Sequence, residues 1–152
     1  MNDHLTSWKI ICACHLMSLI WKPEKDSKKE LVKWFSTHAM VNIIISYLTY
    51  RSVYMTFKHP LLSYRVDEYV DGDENSRLPI CLSLWIHIYH VLFYNLSKED
   101  IFHHLLFVSL LTMPGYYYEW GIVRNCNLFF ICGLPGGLIY ALLTLQKCGY
   151  LK

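Results

Sequence analysis

Charge is scarce in this chain. Only 17% of its 152 residues are Asp, Glu, Lys or Arg, while 54% are hydrophobic and 16% aromatic. Soluble domains carry about 25% charged residues, so the composition argues against an ordinary soluble fold. No basic stripe with interleaved aromatics is present, which removes the usual footprint of a nucleic-acid partner. No two of the six cysteines stand at CxxC spacing. Most of Cys12, Cys14, Cys81, Cys126, Cys132 and Cys148 fall inside apolar stretches. They read as small buried apolar residues, not as a disulfide or zinc framework. The first apolar run has no basic segment before it and no small-residue cleavage site, so a cleaved signal peptide is not expected. An acidic stretch, Asp71-Gly-Asp73-Glu-Asn75, begins like a calcium loop. Its sixth position is Ser76 where glycine is needed, so it reads as an exposed turn.

What the chain does have is apolar residues bunched into blocks. The expected fold is all-α: a single domain over residues 1–152, built as a multi-pass transmembrane helical bundle of about five spans with a broken last helix. Ile10 to Trp21 is a short or tilted first span, and His15 within it reads as a histidine bonded to a neighbouring helix. Pro23 ends that span, and a basic connection from Lys22 to Lys33 follows. A second helix is expected from about Glu30 to Phe57. Trp34, Tyr47, Tyr50 and Tyr54 suit headgroup belts, and His38 reads as interfacial. Pro114-Gly115 should kink or end the fourth span. The last stretch, Asn127 to Leu145, is interrupted by Gly133-Leu-Pro-Gly-Gly137. With the basic first connection and the C-terminal lysines inside, the positive-inside rule favours an odd number of spans.

The most informative stretch runs from Leu78 to Tyr118. Two apolar limbs of roughly 18 residues each, near the ~20 that cross a bilayer, are joined by a polar hinge of Ser97, Lys98, Glu99 and Asp100. His87 and His90 lie in the first limb, three residues apart and so on one face. His103 and His104 lie in the second. His90 and His104 are each about seven residues from Ser97, so both sit roughly 10 Å from the turn, at a common depth. Ser97 and Asp100 form a capping-box-like start for the second limb. Asp100 is also within one turn of either histidine. Ionisable groups inside apolar segments usually face the bundle interior and serve function.

YHVLFYNLSKEDIFHHLLFVSLL resembles the centre of TLC-domain membrane proteins, the group that includes ceramide synthases. There a tyrosine-histidine pair precedes a polar turn and a double histidine, as Tyr89-His90 and His103-His104 do here. The later GLPGGLIYALL is similar to the late broken helix of some small members. The resemblance covers roughly residues 78–145. It implies a helical bundle in an internal membrane, such as the endoplasmic reticulum, with a lipid-sized cavity. In acyl-transferring members it implies that the paired histidines act on an acyl thioester and a long-chain amine, a role that falls on His103 and His104. Here the acidic residues that follow the pair in those enzymes are missing, and Asp100 precedes it instead.

Two lipid readings follow. In one, a lipid acyl-transfer enzyme uses His103 or His104 as general base, Asp100 to orient the imidazole and His90 to polarise a carbonyl. In the other, a lipid-binding or lipid-regulating protein uses the histidines as hydrogen-bonders between helices. His103, His104, His90 and Asp100 are thus the candidate catalytic residues, and His87 and Tyr94 the candidate lipid contacts. Membrane lipids, an acyl thioester and membrane protein partners are the expected partners. The alternative is a small structural subunit of a larger membrane complex. No cofactor is expected. HxxH at His87 and His90 faintly suggests a di-iron histidine box, but the further histidines and carboxylates are lacking.

Overall fold

The structure, a computed structural model, describes residues 2–61, 76–118 and 120–152. The Asp71–Asn75 segment therefore lies outside the described residues. Helix α1 spans Asp3–Ser18, started by the Asn2 side chain, which accepts a hydrogen bond from the His4 N–H. It begins a full turn and more before the apolar run, because Asn2 and Asp3 suit a helix N-terminus. After Pro23 the chain makes a single 3-10 turn over Asp26–Lys28, and helix α2 then runs over Lys29–Lys58. The pairs Glu24–Lys28 and Glu30–Lys33 decorate this basic connection. Both are exposed and contribute little.

Helix α3 spans Leu78–Phe93 with proline in its first turn, where the missing N–H costs nothing. Helix α4, Lys98–His103, opens on a full capping box: the Asp100 N–H donates to Ser97 Oγ (3.1 Å) and the Ser97 N–H to Asp100 Oδ2 (2.9 Å). The helix continues as a π-helical segment over His104–Thr112 and then α5, Met113–Tyr117. Helix α6, Gly121–Leu128, passes through a second π-segment, Phe129–Gly133, into α7, Leu134–Lys147.

The two π-segments have one cause. Each ends two residues before a proline, Thr112 before Pro114 and Gly133 before Pro135. A proline inside a helix removes a donor and crowds the carbonyl one turn back. The chain widens instead of breaking: the Met113 N–H donates to Val108 O and the Leu134 N–H to Phe129 O, five residues back in each case. The expected break at Gly133-Leu-Pro-Gly-Gly137 is therefore not found, and residues 121–147 form one continuous helix. Pro114-Gly115 ends its helix three residues late, at Tyr117.

The described residues make five helical passes, up and down. α2 lies at the centre and touches α1, α3, α6 and α7. α2 and α7 run antiparallel at close range: a Cβ on Gly133 would lie 2.8 Å from Ser46 Oγ, and one on Gly137 3.2 Å from the Ile43 side chain. The Glu24 N–H donates to Lys147 O at 3.0 Å, so the first connection and the end of α7 meet at one end of the bundle. The Tyr94–Ser97 link lies at this end too, because His90 and Tyr94 pack on Trp34 near the start of α2. At the far end, His4 contacts Tyr116. The core between passes contains Ile11, Val41, Ile45, Ile80, Leu82 and Ile86. Of the described helices, one, Gly121–Lys147, is long and apolar enough to cross a membrane by length and composition; Leu78–Phe93 is apolar but shorter.

Candidate functional site

The capping box fixes where α4 starts, and with it the register of the hairpin. The rings of His90 and His104 then meet, with centroids 5.1 Å apart, at the common depth expected from counting residues. His87 meets both second-limb histidines, His103 at 5.3 Å and His104 at 5.2 Å. α2 adds a fifth ring, His38, 5.8 Å from His87. His38 is not interfacial: it is 4% exposed. Trp34, one turn earlier, is also buried, where a headgroup belt was expected. Its ring lies flat on His90 at 3.6 Å.

Hydrogen bonding sets the tautomers of the central pair. His87 Nδ1 lies 2.6 Å from the Ser83 carbonyl oxygen, which can only accept, so Nδ1 carries the hydrogen. His87 Nε2 is 3.2 Å from His103 Nε2. With both rings neutral, His87 Nε2 accepts and His103 Nε2–H donates. That leaves His103 Nδ1 with a bare lone pair. The carbonyl of one helix thereby dictates the proton position on the next.

Asp100 has another employment than the expected one. Its hydrogen bonds among the described residues are both to Ser97, and they close the cap instead of orienting an imidazole. Partial burial pushes its carboxyl up, but bonds from the Ser97 amide and hydroxyl outweigh this and hold it below the ordinary carboxylate value. Tyr94 pairs its hydroxyl with Tyr89 at 3.4 Å. His15 bonds the same Tyr89 hydroxyl at 2.6 Å, as a histidine tied to a neighbouring helix.

Beside the cluster lies a cavity of about 430 Å³, within the usual range for ligand pockets. Its walls are largely apolar, with Phe35, Ile80, Phe107, Leu128, Ile139 and Leu143 among them. It follows the last pass from Arg124 to Leu143, roughly 29 Å of helix at 1.5 Å per residue. Both π-segments contribute to it, through Phe107, Leu111 and Thr112 on one side and Ile131 and Cys132 on the other. Of the histidines, His38, His87 and His103 reach the cavity wall. His90 and His104 belong to the cluster behind that wall, and Tyr94 packs on Trp34. The geometry thus separates the adjacent pair: His103 faces the cavity, and His104 Nδ1 is buried without a partner among the described residues. Among the described residues no three His, Cys, Asp or Glu side chains converge as metal ligands.

His38 and Asn42 also line the cavity, and sequence reasoning missed both. The signal was there in the i, i+4, i+8 series Trp34, His38, Asn42, one face of α2. Comparison with protein-family models, with characterised proteins and with solved structures gave no match.

Proposed function

We propose that this protein is a multi-pass protein of an internal membrane that holds a single-chain lipid in the cavity, with its polar end toward His38, His87 and His103. The observation that carries the reading is the form of the cavity: long, largely apolar, with its histidines on one stretch of wall. The outer surface supports it. Ile43, Tyr47, Leu105, Leu110, Leu138 and Leu142 are each more than half exposed. Such side chains are a liability in water and at home against acyl chains. The five passes and the common end shared by the basic connection, the hinge and the end of α7 agree with five membrane crossings. The resemblance to TLC-domain proteins points the same way.

The tautomer-defined pair favours a second reading, acyl transfer. His103 Nδ1 would take the proton from an attacking hydroxyl or amine as it adds to an acyl thioester, and would return it to the departing sulfur as the C–S bond breaks and the thiol leaves. His87 would stabilise the resulting imidazolium through the Nε2 bond.

The test is to purify the protein from membranes into nanodiscs and analyse the extracted lipid by mass spectrometry. A stoichiometric co-purifying lipid is expected, and Leu111→Trp, which fills the cavity, should lose it. Recovery of the protein in the soluble fraction, or a wild-type protein with no bound lipid, would overturn the reading. Unchanged cellular lipids in a well-expressed His103→Ala strain would remove acyl transfer and leave lipid binding.

A further inference from the structure

Five buried side-chain polar atoms have no hydrogen-bond partner among the described residues: Thr37 Oγ1, His38 Nδ1, Asn42 Oδ1, Thr56 Oγ1 and His104 Nδ1. Only two of these belong to residues on the cavity wall, His38 and Asn42. They are one helical turn apart on α2, and so lie side by side. Their residues are 4% and 3% exposed. Leaving such groups unpaired costs stability, so a pair of them at one cavity wall implies something that pairs with them. Gly136 makes room for this arrangement: a side chain there would collide with the Asn42 amide nitrogen.

We infer that His38 and Asn42 form the seat for the polar end of the bound lipid, and that this end is a hydroxyl group. The inference rests on the cavity reading above and names the ligand's chemistry. A hydroxyl has one hydrogen to give and lone pairs to receive. It donates to Asn42 Oδ1 and accepts from His38 Nδ1–H, and so satisfies both atoms at once. The terminal torsions of His and Asn are soft, which lets both atoms turn to meet it. A carboxylate only accepts, and would leave Asn42 Oδ1 without a hydrogen. An ammonium would be buried without a counter-charge: among the described residues no carboxylate lines the cavity, and its far end carries Arg124. The best match is a long-chain alcohol, with its alkyl chain along the apolar walls toward Arg124.

The experiment uses the full chain in detergent micelles with a fluorescent alkyl probe in the cavity, displaced by hexadecanol or by hexadecyl methyl ether. The ether keeps the chain and the acceptor oxygen but cannot donate. Hexadecanol should displace the probe about tenfold more tightly than the ether, the worth of one donated hydrogen bond in a dry site. Asn42→Leu should bring that ratio to about one with the ether's own affinity unchanged, whereas His38→Phe, which removes the hydrogen that alcohol and ether both accept, should weaken both about tenfold and leave their ratio near ten. Equal displacement by alcohol and ether in the wild-type protein would overturn the hydroxyl seat and leave the cavity reading standing. Displacement by neither would overturn both.

Discussion

Trp34 lies flat on His90, their ring centroids 3.6 Å apart and their planes within 16°. The same indole is edged by His38 at 4.6 Å, Tyr94 at 5.4 Å and Tyr140 at 6.2 Å. One side chain of α2 therefore backs the first limb of the hairpin and braces the last pass. Trp34→Ala should cost about 3 kcal/mol or more, as for other large buried aromatics. Trp34→Phe, which can still stack, should cost clearly less. Thermal unfolding in detergent checks both. A Trp34→Ala protein within ~1 kcal/mol of wild type would show that the stack is not what holds His90.

His103 and His104 should respond differently to mutation. His103→Ala strips the donor from His87 Nε2 and leaves a buried acceptor unpaired, at about 1–3 kcal/mol. His103→Gln can still present an N–H there and should recover part of the loss. His104 Nδ1 has no partner among the described residues to lose, so His104→Ala should cost packing alone. Denaturation of the three variants side by side reads the order. If His104→Ala is the more damaging, the hydrogen bond between the two limbs is not the controlling contact.

Gly133, the last residue of the second π-segment, packs closely against α2. A Cβ there would stand 2.8 Å from Ser46 Oγ and 3.3 Å from both the Ser46 nitrogen and the Leu128 carbonyl. The hydroxyl can rotate away, but the two main-chain atoms cannot. Gly133→Ala should therefore destabilise by about 1–3 kcal/mol, the usual cost of overpacking. Gly133→Ala paired with Ser46→Ala should recover only the hydroxyl part. A neutral single substitution, measured by thermal unfolding, would contradict this packing.

The cap at the hinge should show in the pH dependence of stability. The Asp100 carboxyl is held below its ordinary value of 3.8 in the folded chain. A carboxylate depressed on folding adds stability that is complete above its unfolded value and fades as pH drops through the folded one. Asp100→Asn, which keeps an acceptor oxygen for the Ser97 N–H but loses the charge, should thus be less stable than wild type at neutral pH, by about 0.5 kcal/mol, the worth of a carboxylate in a helix's first turn. The gap should narrow steadily below pH 3.8. A gap that stayed constant into acid would mean that the carboxylate charge contributes nothing at this cap.

Much of the bundle was legible in the chain before its coordinates. The helix over residues 29–58 and the register of the hairpin follow from apolar period, from Ser97 and Asp100, and from equal spacing about the turn. Four things were not. His38 looked interfacial because the apolar centre of α2 was placed at Ala39–Tyr50. In fact α1, α3 and α7 cover the first turns of α2 as well, and burial there comes from neighbours that local sequence does not reveal. Asp100 had two possible partners at similar spacing, and the nearby backbone amide of Ser97 took it. Pro135 was read as a break because a missing donor usually ends a helix. The i→i−5 bond at Leu134 lets the ladder skip the proline, and only the backbone can show which outcome a proline produces. The separation of His103 from His104 lay beyond the sequence for the same reason, since a π-segment starts between the two and turns them to different surroundings.

The tie between Glu24 and Lys147 runs from amide nitrogen to carbonyl oxygen. It uses no side chain, so the buckle that joins the start of the bundle to its finish is indifferent to what residue 24 or 147 carries. Nineteen amino acids can serve at position 24 equally well; proline alone, having no N–H, would undo it.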